Sequence, residues 1–112
     1  MMLTQAQVER ELARLVEAGE ETAHLIADLA EAAARAEVAY KTAYSKALLR
    51  SEGTVEVRKA QATVMTDAEL LEHKIADAKL LGAQESARTI RSSMDALRSV
   101  NATVRHAVGV DW

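Results

Sequence analysis

The sequence predicts an all-α protein that folds as a long antiparallel helical hairpin of the coiled-coil type. The chain has 112 residues with no proline and only four glycines, the two residue types that most often interrupt helices. Its first half carries small and apolar residues at alternating steps of four and three, a heptad pattern that a helix can bury only against a partner helix. This first stripe consists of Leu12, Leu15, Gly19, Thr22, Ile26, Leu29, Ala33, Ala36, Tyr40, Ala43 and Ala47.

One break divides the chain into two helices. The segment from residue 50 to 54 combines Gly53, which suits the positive φ beyond a helix end, with Thr54, which can cap the next helix. A link this short makes the two helices antiparallel. Thr4 is suited to cap the first helix. The predicted elements of a single domain over residues 1–112 are a helix over 4–50, a turn over 51–54, a helix over 55–107 and a tail over 108–112.

The second helix carries its own core-facing candidates at steps of three and four. They are Val57, Ala60, Val64, Ala68, Leu71, Ile75, Ala78, Gly82, Ser86, Ile90, Met94, Leu97, Asn101, Val104 and Val108. Folding the chain at its turn sets Tyr40 opposite Val64, and large side chains then face small ones. The pattern Thr66-x-x-Glu69 matches a capping box, so the alternative is a helix that restarts at this point.

Two helices alone make a thin core, and further apolar residues widen the stripes beyond one seam. These are Val16, Leu25, Leu48, Leu49, Leu70, Leu80 and Leu81. A homodimer of two hairpins, packed as an elongated four-helix bundle, would cover them. We therefore expect a homo-oligomer, with a lone hairpin as the alternative.

Composition and charge exclude several classes of protein. The chain has no cysteine, which excludes disulfides, thiol catalysis and cysteine-based zinc sites. Its N-terminus lacks the basic and apolar regions of a signal peptide, and no apolar run reaches the roughly 18 residues that a membrane span needs. A net charge of −3 argues against a dedicated nucleic-acid binder. We expect a cytoplasmic protein without a membrane partner.

The sequence offers little for catalysis or for a metal. Glu21-x-x-His24 matches one half of the helical motif of di-iron bundles, but a second copy is missing because Leu70 stands three residues before His73. The serines are scattered, and no glycine-rich phosphate loop is present. The prediction is a protein that is not an enzyme, that has no metal and no cofactor, and whose histidines are solvated surface residues.

Basic and aromatic residues concentrate at the predicted tip of the hairpin. Residues 41–59 hold five basic and two acidic side chains. The basic tip is defined as Tyr40, Lys41, Tyr44, Lys46, Arg50, Arg58 and Lys59. Such a surface can hold phosphates and stack on bases, or it can dock a protein partner. The alternative is that Tyr40 belongs to the core and that the cations are solvated and complement the helix dipoles.

Two further features carry charge. Four arginines of the second helix face the acidic first half of the first helix, which predicts ion pairs between the helices. They are Arg88, Arg91, Arg98 and Arg105. The tail ends in Asp111 and Trp112, an acid beside an aromatic ring, which can dock on a partner protein. The alternative is a tail that is disordered or that packs on its own bundle.

Two segments resemble a known group of proteins. The stretch Ala36–Leu49, with Glu52-Gly53-Thr54 and the following Glu56-x-Arg58-Lys59-Ala60, is similar to small all-helical proteins encoded by bacteriophages and prophages of Gram-positive, actinobacterial-type hosts. The segment Arg91–Asn101 is similar to the closing part of those proteins. The resemblance implies a phage origin, often in gene regions near replication and recombination functions. It supplies no catalytic residue.

The expected function is a non-enzymatic interaction or assembly protein of phage origin, whose partner is a second copy or a host or phage protein. The first alternative is an accessory nucleic-acid-binding protein of phage replication or recombination that acts through the basic tip. The second alternative is a small inhibitor or adaptor that docks on a host protein.

Overall fold

The computed structural model describes residues 3–107, which are helical apart from short connections. Three helices follow one another: α1 (Gln5–Arg50), α2 (Val55–Met65) and α3 (Asp67–Ala107). No strand occurs within this described range, which confirms the predicted all-α class. The predicted tail over residues 108–112 lies outside the described residues.

A capping box fixes the start of α1. The Gln7 backbone N–H donates to the Thr4 hydroxyl at 3.2 Å, and the Thr4 N–H donates to the Gln7 side-chain oxygen at 2.8 Å. Backbone donors that a helix start leaves without partners are thereby satisfied. The predicted cap at Thr4 is confirmed.

The turn after α1 also has the predicted geometry. Gly53 has a φ of 111°, a conformation that glycine adopts at no steric cost. Thr54 caps α2, since its hydroxyl accepts the Val57 N–H at 3.3 Å. At the other side of the turn, the Ala47 carbonyl accepts both the Ser51 N–H at 3.0 Å and the Ser51 hydroxyl at 2.7 Å.

We expect Gly53→Ala and Gly82→Ala to change stability in opposite directions. At Gly53 an added Cβ would lie 3.2 Å from Cγ1 of Val57. The left-handed backbone there costs an L-residue about 1–2 kcal/mol. At Gly82, inside α3, the added Cβ would meet no atom of the described residues within 4 Å, and alanine is favoured over glycine in a helix by about 1 kcal/mol. Urea unfolding measures both shifts, and a destabilised Gly82→Ala protein would contradict the structure.

The predicted second helix over 55–107 is not continuous, because Thr66 separates α2 from α3. Thr66 has φ −120° and ψ 18°, outside the helical region. Its N–H donates to the Thr63 carbonyl at 3.4 Å, while its hydroxyl donates to the Ala62 carbonyl at 2.7 Å. In a continuous helix the Ala62 carbonyl would accept that N–H. The threonine hydroxyl has therefore replaced its own backbone donor, and the helix restarts.

We expect Thr66→Val to lower the free energy of unfolding by about 1–2 kcal/mol, because it removes the donor to a buried carbonyl at nearly constant volume. Thr63→Val is the matched control. It removes the same type of bond, from the Thr63 hydroxyl to the Lys59 carbonyl at 2.9 Å, at an exposed site where water can replace it. The control should cost less than about 0.5 kcal/mol. Thermal unfolding followed by circular dichroism compares them, and equal losses would contradict this account of the break.

The described residues form two compact units, and both long helices contribute to each. The terminal unit combines the chain up to Leu25 with the chain from Ala83 onward, and the turn unit is Ile26–Gly82. In the terminal unit α1 packs on α3. Cγ2 of Ile90 lies 3.8 Å from the point that a Cβ atom would occupy if Gly19 were replaced by alanine.

Within the turn unit the chain doubles back on itself. An Arg58 guanidinium nitrogen donates to the Leu48 carbonyl at 3.2 Å close to the turn. Further along, the rings of Tyr40 and His73 stack with centroids 6.0 Å apart. The contact farther from the turn joins a lower-numbered residue of α1 to a higher-numbered residue of α3. The chain after the turn therefore runs antiparallel to α1, as predicted.

The first stripe forms the inner face of α1 in both units. Each of its eleven residues is buried or half-buried. Leu15 and Ala33 are each 6% exposed, and Ala47 is 1% exposed. Val8, one step of four before Leu12, continues the face and is fully buried. The heptad prediction for α1 is confirmed.

The predicted core-facing stripe of the second helix is wrong for α2 and for the first part of α3. Its members from Val57 to Ser86 are exposed, whereas the described members from Ile90 to Val104 are half-buried as predicted. Val108 lies outside the described residues. Residues of the turn unit that face α1 instead are Ala62, Thr66, Glu69, His73, Ala76 and Leu80. Tyr40 accordingly lies against His73 and not opposite Val64.

Two competing stripes account for this difference. Residues 55–83 carry one apolar set and one more polar set, and both repeat at steps of three and four. Periodicity alone cannot rank two sets with the same repeat. Ala62 and Thr66 of the more polar set are the buried residues, at 0% and 3% exposed. The fit between two helices is set by the side chains at their contact, so the packed pair of helices decides which set is buried.

Candidate interaction surfaces

A row of exposed apolar and small residues runs along the outer face of α2 and α3 in the turn unit. We call it the outer stripe; it consists of Val57, Ala60, Val64, Ala68, Leu71, Ile75, Ala78 and Gly82. Val64 is 73% exposed, Leu71 60%, and Ile75 45%. A shallow groove of about 360 Å³ opens on it, lined by Ala60, Gln61, Val64 and Met65. Contiguous exposed apolar surface of this kind commonly marks an interaction site.

Helix geometry explains why the outer stripe does not reach α1. Residues two positions apart lie roughly 200° around a helix axis, which places them on opposite faces. Ala62 is fully buried while Val64 is exposed, and His73 is half-buried while Leu71 is exposed. This part of the chain therefore presents one face to its own core and a more apolar face away from it.

Charged side chains border the outer stripe on both sides. At about 100° per residue, Asp67 and Lys74 lie on one flank, and Glu72 and Lys79 lie on the other. All four are exposed. Within residues 3–107 none of them forms an ion pair shorter than 4.0 Å. Both signs of charge are thus available to a partner that covers the stripe.

The residues of the basic tip all lie in the turn unit, but their surroundings differ. Lys41 pairs with Glu37 at 2.7 Å. The Lys41 ammonium holds the pKa of the Glu37 carboxyl below its usual range, and the same hydrogen bond raises the pKa of Lys41. Arg58 is half-buried and is held by the Leu48 carbonyl. These two cations are engaged by groups of their own chain.

Lys46, Arg50 and Lys59 are exposed, and in the described part of the chain they form no ion pair. A cleft of about 410 Å³ lies beside the Thr66 break, lined by Ala39, Thr42, Ala43, Lys46, Ala47, Arg50, Met65, Thr66 and Glu69. One carboxylate oxygen of Glu69 is buried and has no hydrogen-bond partner among residues 3–107. A carboxylate in the same cleft as the two cations reduces the attraction of this cleft for phosphate.

The aromatic residues of the tip belong to the inner face. Tyr40 is half-buried and stacks on His73, with the two ring planes 18° from parallel. The ring of Tyr44 packs against that of Tyr40, with the ring centroids 6.2 Å apart. The His73 side chain is only 19% exposed, with Nδ1 3.7 Å from an Asp77 oxygen. The prediction of a solvated histidine is wrong for His73. Periodicity could not reveal this, because His73 belongs to one of two stripes that have the same repeat.

The ion pairs of the described residues lie within single helices. Arg88 and Arg98 each pair with an acidic residue three positions earlier, at 2.7 and 3.3 Å. In α1, Glu11 pairs with Arg14, whose guanidinium holds the pKa of Glu11 below its usual range. The predicted pairing of the arginines with the acidic half of α1 is wrong in this part of the chain. Side chains three or four apart on one helix are already neighbours.

Two other sets of residues that the sequence singled out remain. Glu21 and His24 are exposed in the terminal unit. Among the residues described, no group of three or more histidine, aspartate or glutamate side chains could hold a metal ion. Asp111 and Trp112, the predicted docking residues of the tail, lie outside the described range.

Comparison with known proteins gives no information on function, so the proposal below is based on the geometry of the described residues. The chain matches no family model, no curated protein and no solved structure. None of the described helices is long and apolar enough to cross a membrane.

Proposed function

We propose that this chain is a non-enzymatic helical interaction protein that binds its partner through the outer stripe. The observation that carries the proposal is the exposure of Val64 and Leu71 on a helix whose opposite face is already packed. Fully burying a valine or leucine side chain is worth about 1.5–3 kcal/mol relative to leaving it exposed. The outer stripe therefore offers binding energy that the single chain does not use.

The chemistry of the stripe defines the kind of partner. Apolar positions at steps of three and four fit an amphipathic helix whose own apolar face has the same spacing. The flanking charges would then pair with polar residues beside that face and select among partners. We propose that the protein works in assembly, and that it is encoded by a phage, as the resemblance of Ala36–Leu49 implies.

An environment-sensitive fluorophore can test this proposal, since the chain has no cysteine. We expect the emission maximum of a fluorophore attached to Leu71→Cys to shift to shorter wavelength when a partner covers the stripe. The partner can be supplied by raising the protein concentration or by adding host extract. In host extract, unlabelled wild-type protein should compete away a shift that another protein causes, and Val64→Gln/Leu71→Gln protein should not. The matched control is Val38→Cys, on α1 and 64% exposed, where no shift is expected. A Leu71→Cys label that shifts under neither condition would contradict the proposal.

Nucleic-acid binding at the basic tip is the second candidate, favoured by the exposed Lys46, Arg50 and Lys59. It predicts retardation of single-stranded DNA at low salt that weakens steeply as salt is added. Replacing those three cations by glutamine should abolish it, while the control Lys74→Gln/Lys79→Gln should not. No retardation at low salt would remove this candidate.

A further inference from the structure

We infer that the molecule covering the outer stripe is a second copy of this chain, paired antiparallel about a twofold axis between Ala68 and Leu71. The inference rests on the proposed function and names its partner. An isologous contact of this kind uses the same surface twice, so the stripe must be complementary to itself when reversed.

The sizes of the side chains along the stripe meet this requirement. The antiparallel register that sets Leu71 opposite Ala68 sets larger residues opposite smaller or similar ones throughout. Its layers are Leu71 with Ala68, Val64 with Ile75, Val57 with Gly82, and Ala78 with the exposed Gln61, each formed twice. All of these residues are exposed in the single chain, so none needs to leave the core to make the contact. Alternation of large and small is what interdigitation requires.

The charges on one flank favour the same register. In an antiparallel pair, each flank meets the same flank of the other copy. Asp67 of one copy then lies beside Lys74 of the second copy, and the twofold axis repeats the pair. On the same flank Leu81, which is 59% exposed, meets the small Ala60. The register that packs the apolar layers thus also forms two ion pairs.

A parallel arrangement would bring like charges together. In a parallel pair, a residue on one flank meets the residue five positions later on the opposite flank of the partner. Asp67 would face Glu72, and Lys74 would face Lys79, each twice. These four exposed residues have no ion pair among the described residues that would neutralise them. Asp67 and Lys74 favour the antiparallel pair, whereas all four charges disfavour the parallel one.

Cysteine cross-linking tests the geometry in the full chain. Disulfides form between residues whose Cα atoms are about 4.4–6.8 Å apart. Under mild oxidation, a mixture of Ala68→Cys and Leu71→Cys proteins should form a disulfide-linked heterodimer, while neither protein alone should form a linked homodimer. Efficient homodimers from each variant alone would show a parallel pair and overturn the inference.

A charge exchange tests the pairing in solution. Asp67→Lys should raise the Kd of self-association by about tenfold, and Asp67→Lys/Lys74→Asp should restore it. The matched control is Asp28→Lys, an exposed residue of α1 in the same unit, which should leave the Kd unchanged. In a parallel pair, Asp67→Lys would tighten association because it relieves the repulsion with Glu72. Circular dichroism of each variant checks that helicity is retained.

The failure of this inference can be told apart from the failure of the proposed function. Purified protein that sediments as a single chain up to about 1 mM would overturn self-pairing. If the fluorophore at Leu71→Cys then still shifts in host extract with competition by wild-type protein, the stripe binds another protein and only the present inference falls. If it shifts in neither setting, both fall.

Discussion

Leu15→Ala is expected to lower the free energy of unfolding by about 2–4 kcal/mol. Leu15 lies on the first stripe in the terminal unit and is 6% exposed. Its truncation removes buried methyl groups and leaves a cavity that two packed helices can refill only in part. The loss should appear in urea unfolding at every protein concentration, because it arises inside one chain.

Leu25→Ala is the control for this prediction. It makes the same chemical change on the same helix and in the same unit, but Leu25 is 50% exposed. Its cost should stay below about 1 kcal/mol, as for surface substitutions. Equal losses for the two variants would mean that α1 does not bury the first stripe.

Val64→Gln/Leu71→Gln is expected to raise the Kd of self-association by at least about 100-fold, which corresponds to about 3 kcal/mol. Each copy loses two exposed apolar side chains from the outer stripe, so an antiparallel pair loses four. The contact joins the outer face of α2 and early α3 to the same face of the second copy and lies at the small end of stable interfaces, so the wild-type Kd should be micromolar. Sedimentation equilibrium over a range of concentrations measures the change.

The same double substitution should have little effect on the stability of the folded single chain. Val64 and Leu71 are exposed, so helicity and unfolding at dilution should stay close to wild type. The matched control, Val38→Gln/Leu49→Gln, removes apolar residues that are 64% and 81% exposed on α1. That variant should associate as wild type does. A double variant at the stripe that unfolds while the control does not would place the stripe in the core and contradict the structure.

The sequence was sufficient to predict α1 and the turn. Only one apolar stripe is available on α1, so its period alone identifies the buried face from Leu12 to Ala47. Gly53 and Thr54 have few alternative uses at the end of a helix, and their local chemistry does not depend on distant contacts. Such local rules carry most of the architecture here.

The buried face of α2 and early α3 could not be predicted in the same way. Val64 and Leu71 are more apolar than Ala62 and Thr66, and a ranking by hydrophobicity selects the outer stripe. The choice depends on the fit with α1, which is a property of the packed pair and not of one helix. The Thr66 hydroxyl bond to Ala62 likewise becomes visible only in three dimensions.

The basic tip shows a similar limit. The sequence placed Lys41 and Arg58 in one group with the exposed cations. In the structure Lys41 pairs with Glu37, and Arg58 donates to the Leu48 carbonyl. Which charges stay available depends on carbonyls and carboxylates only a few ångströms away. Periodicity and charge counts do not contain that information.

Thiol labelling of Ala62→Cys and Val64→Cys tests the central claim, that α2 turns Ala62 inward and Val64 outward. Both variants are diluted until sedimentation reports a single chain, and the rate of reaction with a soluble thiol reagent is measured for each. The structure predicts that the cysteine at 64 reacts nearly as fast as an unfolded peptide, and that the cysteine at 62 reacts at least about 100-fold more slowly, through local opening of the helix. Fast labelling at 62 with protection at 64 would show that the outer stripe is the core, and it would contradict the account.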